Sequence, residues 1–242
     1  MTILENTLTG WSKKEVAWLV SCIVLTIIVA FISGSGSFIL IFSIISITNL
    51  ILAAKGKVFN YVLGLIGAVM YAVISYQNHV YGQLLLAVLF LCPVQFYGWY
   101  NWTRPKNTTK EKQIKIKMLT RTHFISILIF IAVVSTIYGY FVLHLYFGQN
   151  VGLVADAIVE VTSIVAFILT VLLYKEFWIL WLTVDVLTIS IWVDGILDSV
   201  ITIAIIPVII TKLVALINAI YGYISWRKIY NLQRKELKLN RF

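Results

Sequence analysis

Phe177-Trp178-Ile179-Leu180-Trp181-Leu182-Thr183-Val184-Asp185, continuing through Thr188 to Trp192, is an apolar run long enough to lie inside a bilayer, with a carboxylate in its middle. Trp178, Trp181, Asp185, Thr188 and Trp192 are spaced by three, four, three and four residues. On a helix that spacing lines them along one face. An acid among indoles at membrane depth is costly unless it faces a partner or a wet cavity. The rest of the chain reads as the housing for that face.

Composition sets the class. The 242 residues are 61% hydrophobic and 12% charged, with a mean hydropathy of +0.95. Soluble domains carry about 25% charged residues. Long apolar runs recur from Val16 almost to Arg227, so the expected fold is an all-α polytopic membrane protein. A membrane β-barrel would need short alternating strands, and the sequence has none. Cys22 and Cys92 both lie in apolar runs and read as small buried side chains. His79, His123 and His144 are scattered, so neither a metal site nor a cofactor is expected.

Eight candidate spans fall at about 16–33, 36–54, 58–77, 80–102, 123–147, 151–174, 176–193 and 199–226. With eight spans, eighteen of the nineteen Lys and Arg residues fall on one side. The exception, Lys212, lies inside the last span. By the positive-inside rule both termini are cytoplasmic. The basic segment 103–122 and the basic tail read as topology signals beside anionic lipid, not as a nucleic-acid module. The first span ends at Gly34-Ser35-Gly36-Ser37, faintly like a signal-peptide cleavage site. The topology needs this span, so it is expected to stay.

An internal repeat organises the rest. Tyr97-Gly98-Trp99-Tyr100-Asn101-Trp102 and Tyr221-Gly222-Tyr223-Ile224-Ser225-Trp226 share the pattern Tyr-Gly-aromatic-x-polar-Trp at an offset of 124 residues. Each closes a span running from outside to inside. The expected architecture is an N-terminal segment 1–35 with an extra helix, a three-helix unit 36–102, a basic loop and linker helix 103–150, a second three-helix unit 151–226, and a basic tail 227–242. A single crossing between the units makes them parallel repeats. In transporters such repeats hold a substrate site near the midplane.

Polar groups at membrane depth mark the candidate site. Asp185 lies about 13 Å into its span. Asp156, Glu160 and Ser163 share a face at spacings of four and three. Gln95 and Asn218 lie in the inner halves of their spans. Lys212 is a candidate partner for Glu160 or Asp185. Pro207 permits a kink in the last span. Asn49 reads as a contact between helices. Indole faces stack on flat heterocycles and attract cationic ones. Carboxylate, carboxamide and hydroxyl groups bond sugar hydroxyls or ring substituents. A nucleoside or charged heteroaromatic vitamin fits this set. No nucleophile–base pair, metal spacing or phosphate loop points to an enzyme.

Leu63-Gly64-Leu65-Ile66-Gly67-Ala68-Val69-Met70-Tyr71-Ala72, then Tyr81-Gly82-Gln83-Leu84-Leu85 and Gln95-Phe96-Tyr97-Gly98-Trp99-Tyr100-Asn101-Trp102, resemble the first half of PnuC-type vitamin transporters. Asp156-Ala157, Ser163-Ile164-Val165-Ala166 and Trp178-Ile179-Leu180-Trp181-Leu182-Thr183-Val184-Asp185-Val186 resemble the second half. The resemblance covers roughly residues 58–226. It implies a nicotinamide riboside transporter of the bacterial plasma membrane, with a SWEET-like 3+1+3 core. It also implies a homotrimer, facilitated diffusion, and a cytoplasmic kinase that traps the substrate. By matching positions, Gln95, Trp178, Trp181 and Asp185 would line the site, with Asp156 and Ser163 towards the outside. The family also has members for thiamine, riboflavin and deoxynucleosides, so these remain alternatives. So do proton coupling through Glu160 or Asp185, and service as the capture subunit of a larger transporter.

Overall fold

The computed structural model describes residues 10–32, 34–77, 87–109, 113–145, 153–197 and 206–239. Among them are eight α-helices and no strand: α1 Lys13–Ile32, α2 Ser37–Ala54, α3 Asn60–Gln77, α4 Cys92–Thr103, α5 Arg121–Tyr138, α6 Leu153–Val171, α7 Phe177–Leu197 and α8 Ile206–Leu239. Each coincides with one of the expected apolar stretches. By length and composition α1, α2, α5 and α6 suffice to cross a membrane, and parts of α3 and α7 form shorter apolar helices. The protein is therefore a multi-pass membrane protein. Its helices expose what a soluble fold would hide. Ile125, Leu128, Ile129, Phe130, Val133 and Ile137 on α5 all face outward, which hydrocarbon tolerates and water does not.

The chain forms two units. The first comprises residues 1–115 and 228–242, and the second residues 116–227. In the first, α1 packs on α2, α2 on α3 and α3 on α4. A reciprocal cap starts α1: Ser12 N–H donates to Glu15 Oε2 at 2.6 Å, and Glu15 N–H to Ser12 Oγ at 3.2 Å. Glu15 also pairs with Lys55 Nζ at 2.7 Å. Lys55 reaches the Gly10 carbonyl as well, at 2.9 Å. The start of α1 is thus tied to the turn after α2. Next to Lys55, burial first and that neighbour's charge second lower the Lys57 ammonium below its ordinary pKa, against an opposing pull from Glu15.

Helix α4 has an irregular approach. Pro93 lacks the N–H that would bond the Leu89 carbonyl, and its ring collides with that carbonyl. The backbone answers with a π-helical turn over Ala87–Leu91. A second π turn, Gly139–His144, continues α5, where Leu145 N–H reaches back to the Tyr140 carbonyl at 3.1 Å. The described part of α8 begins at Ile206, so the kink expected at Pro207 lies at the edge of the described residues. α8 also runs past the expected end of the last span to Leu239. Its extension is rich in Lys, Arg, Gln, Glu and Leu, which favour helix in water. There Gln233 Nε2 donates to the Ile114 carbonyl at 2.8 Å.

In the second unit α5 packs on α6, and α6 and α7 form the most extensive helix pair of the described chain. α6 buries 44% of its apolar window, the largest share among α1, α2, α5 and α6. Thr120 caps α5 by accepting from the His123 N–H. The turn from α6 to α7 is fastened by the segment before α5. Lys117 N–H donates to the Leu173 carbonyl at 2.8 Å, and Lys175 N–H to the Lys117 carbonyl at 3.1 Å. The Glu176 carboxylate accepts from the Leu119 N–H at 3.1 Å.

Candidate functional site

The two Tyr-Gly motifs do the same packing work in their own units. A Cβ on Gly98 would overlap the Tyr61 ring, and Trp102 meets that ring edge-on at 4.9 Å. A Cβ on Gly222 would overlap the Trp178 indole, and Trp226 meets Phe177 edge-on at 4.9 Å. Tyr61 and Trp178 are each the second residue of their helix. In each unit the glycine lets a helix backbone close onto an aromatic ring, and the tryptophan four residues later meets an aromatic ring in the first turn of that same neighbouring helix edge-on.

In the first unit Gln95 is buried, and its side-chain amide fills the space beside Gly64. The sequence marks Gln95 but not the glycine that makes room for it. The position of Gly64, three residues after Tyr61, is that of Trp181 after Trp178. Likewise Ala68 stands where the second unit has Asp185. The acid–indole chemistry therefore belongs to the second unit alone.

In the second unit the Asp185 carboxylate is 4% exposed and pairs with Lys212 Nζ at 3.7 Å. The lysine side chain remains 31% exposed. Of the two expected partners for Lys212, Asp185 is the one it reaches. Trp181 is half-buried and meets the edge of Phe167 on α6 at 5.0 Å, with the rings at 90°. Sequence reading passed over Phe167, although it lies four residues after Ser163 on the same helical face. Trp178 is 2% exposed, tilted against Phe177 at 4.4 Å. Its indole N–H meets no acceptor among the described residues.

Two contacts fix how α7 meets α8: Trp178 with Gly222, and Asp185 with Lys212. Residue numbers rise on one helix as they fall on the other, so the register is antiparallel. Asn218 is buried and falls in the layer between these contacts, level with Trp181. The hydroxyls are tied to their own helices. Ser163 Oγ donates to the Val159 carbonyl and Thr188 Oγ1 to the Val184 carbonyl, each at 2.7 Å. Their lone pairs stay available as acceptors. Asp156 and Glu160 are half-buried on α6. Asn49 keeps a buried Oδ1 with no donor among the described residues. The side chains of Trp192, Pro207 and Asp194, like His79, Gln149 and Asp198, lie outside the described residues.

Among the described residues no group of three or more His, Cys, Asp or Glu is placed to hold a metal ion. An open groove lined by Leu119, His123, Phe130 and Tyr174 contains none of the candidates. What α7 and α8 assemble is a buried carboxylate paired with a part-exposed ammonium, a half-buried indole, and a carboxamide between them.

The chain is similar to known proteins over most of its length. The family described as "Nicotinamide mononucleotide transporter" matches residues 36–228. A nicotinamide riboside transporter PnuC from Neisseria mucosa is 30% identical over 223 residues, covering 91% of this chain and 83% of the relative. Its counterpart from Haemophilus influenzae is 28% identical over 228 residues, covering 93% and 94%. A crystal structure described as that of the vitamin B3 transporter PnuC superposes with a TM-score of 0.78 at 29% identity, covering 94% of this chain and 97% of that one.

Proposed function

Because the chain belongs to the PnuC family of nicotinamide mononucleotide transporters, a family of membrane transporters, we propose that it imports nicotinamide riboside across the plasma membrane by facilitated diffusion with alternating access. The observation that carries this reading is the layer on α7 and α8: Asp185, Trp181 and Asn218 within a few helical turns of one another. A pyridinium ring stacks on an indole. Ribose hydroxyls donate to carboxylate and carboxamide oxygens. An inorganic ion would have no use for the indole.

Each residue takes a role in this proposal. Trp181 stacks on the ring. Asp185 and Gln95 bond the ribose or the carboxamide. Trp178 offers its unused N–H, and Asn218 its amide, from the layer beneath. Asp156, Glu160, Ser163 and Thr188 supply acceptors along the path. The domain division 1–35, 36–102, 103–150, 151–226 and 227–242, the 3+1+3 arrangement and the homotrimer belong to the same proposal. So do cytoplasmic termini, supported by the distribution of Lys and Arg, and trapping of the product by a cytoplasmic kinase. The chain works as a carrier and not as an enzyme.

A titration of the purified protein tests the substrate. Nicotinamide riboside is expected to quench tryptophan fluorescence saturably. Thiamine, riboflavin and deoxynucleosides are expected to bind at least about tenfold more weakly. Tighter binding of any of these three would assign the chain a different substrate.

A further inference from the structure

The Asp185–Lys212 pair is unequally presented. The carboxylate is 4% exposed and the ammonium side chain 31%. At 3.7 Å the contact is longer than a close charge-assisted hydrogen bond. A molecule that approaches this pair meets the lysine before the aspartate. The pair as a whole has no net charge. Trp181, by contrast, offers a face that favours a cation.

We propose that Lys212 is a specificity-determining residue that sets the charge of the preferred ligand. Its ammonium offsets Asp185, so ring charge by itself discriminates little, and a neutral isostere with the same ring substituents and ribose as nicotinamide riboside is accepted about as well. Lys212 also donates hydrogen bonds to an acceptor on that ligand. This inference rests on the substrate reading above and narrows it. If Lys212 only held α7 to α8, its removal would weaken all ligands alike.

The first unit supports the assignment. Where the second unit has Asp185, the first has Ala68, and by the repeat offset Val88 stands where the second has Lys212. Neither charge of the pair is a requirement of the three-helix scaffold. Both are present in one unit, and they meet.

The test compares two ligands that differ in ring charge. Nicotinamide riboside carries a pyridinium cation; benzamide riboside is its neutral isostere. Both are titrated against the intact chain in detergent, as wild type, Lys212→Met, Lys212→Arg, and the double variant Asp185→Asn with Lys212→Met. Lys212→Met is expected to shift the affinity ratio towards the cation by about tenfold or more. Lys212→Arg is expected to keep the wild-type ratio. The double variant restores neutrality without a buried unpaired charge, and its ratio is expected to return towards wild type. It stays informative where Lys212→Met fails to fold. A ratio unchanged in Lys212→Met, or in the double variant a ratio shifted as far as a lone carboxylate would shift it, overturns the proposal. A folded wild type that binds neither ligand overturns the substrate reading as well, and so separates the two failures.

Discussion

Gly56 and Leu173 hold the same backbone conformation at equivalent places in the two units, with φ of 67° and 69°. Each ends the helix before the turn with the same pair of bonds. Gly56 N–H donates to the Ala53 carbonyl and Lys57 N–H to the Leu52 carbonyl. Leu173 N–H donates to the Thr170 carbonyl and Tyr174 N–H to the Leu169 carbonyl. This is the closing motif that usually calls for glycine. The first unit uses glycine, with the Ile114 side chain against it. The second uses a leucine that is completely buried. Burial of the side chain there offsets a backbone cost of about 1–2 kcal/mol.

The two positions should therefore answer differently to substitution. Gly56→Ala is expected to destabilise by about 2 kcal/mol or more, through the left-handed φ and the Ile114 contact. Leu173→Gly relieves the backbone but loses a buried leucine, worth about 2–5 kcal/mol. It too should destabilise, despite putting the favoured residue at that turn. Thermal unfolding in detergent checks both. A stabilised Leu173→Gly would show that the side chain contributes little.

The glycines under the aromatic rings should be intolerant. Gly98→Ala and Gly222→Ala are each expected to cost about 1–3 kcal/mol and to lower the yield of monodisperse protein. Gly67→Ala is the control, since a Cβ there would meet Ile45 at 3.9 Å, an ordinary contact. Size-exclusion profiles of the three variants check the ranking.

The two indoles of α7 should separate by role. Trp178 is closed in by Phe177, Gly222 and Trp226, whereas Trp181 is half-buried against Phe167. Trp178→Ala is expected to reduce folded protein. Trp181→Ala is expected to fold and to lose ligand affinity by about tenfold, the worth of a stacked cation. Binding titrations paired with melting curves distinguish them. Equal loss of stability in both would remove Trp181 from the site.

The ion pair makes a prediction that needs no ligand. Asp185→Ala leaves Lys212 without its carboxylate at membrane depth. Breaking a fully buried pair by removing one partner costs about 3–5 kcal/mol, and less where the charge left behind is part-exposed as Lys212 is, whereas replacing both with apolar residues can be near neutral. The double variant Asp185→Ala with Lys212→Met should thus be more stable than Asp185→Ala alone. Melting temperatures of the three proteins decide it.

Much of this was legible in the sequence, because membrane helices announce themselves. A long apolar run can satisfy its backbone in lipid in few other ways, so each expected stretch carries a helix. The Tyr-Gly motifs were visible as a repeat, but their purpose was not. That Gly98 lies under Tyr61 and Gly222 under Trp178 depends on which helix packs where, and no periodicity states it. Lys212 had two candidate acids, Glu160 and Asp185, and only the register between α7 and α8 chooses. Trp178 and Trp181 looked alike along one helical face. Burial separates them, because one sits opposite a glycine and the other opposite a phenylalanine. Leu173 was invisible, since nothing in Leu-Leu-Tyr-Lys suggests a left-handed residue. Only its match in position to Gly56 could have hinted at it.

The central claim is that this chain alone carries nicotinamide riboside down its gradient. The most direct measurement is exchange in liposomes containing only the purified protein. The vesicles are preloaded with unlabelled nicotinamide riboside and diluted into trace labelled compound, with no proton or ion gradient. The account predicts transient accumulation of label in wild-type vesicles and its loss in Trp181→Ala vesicles of equal protein content. Wild-type vesicles that gain no more label than protein-free ones, or that do so only when a proton gradient is imposed, would contradict it.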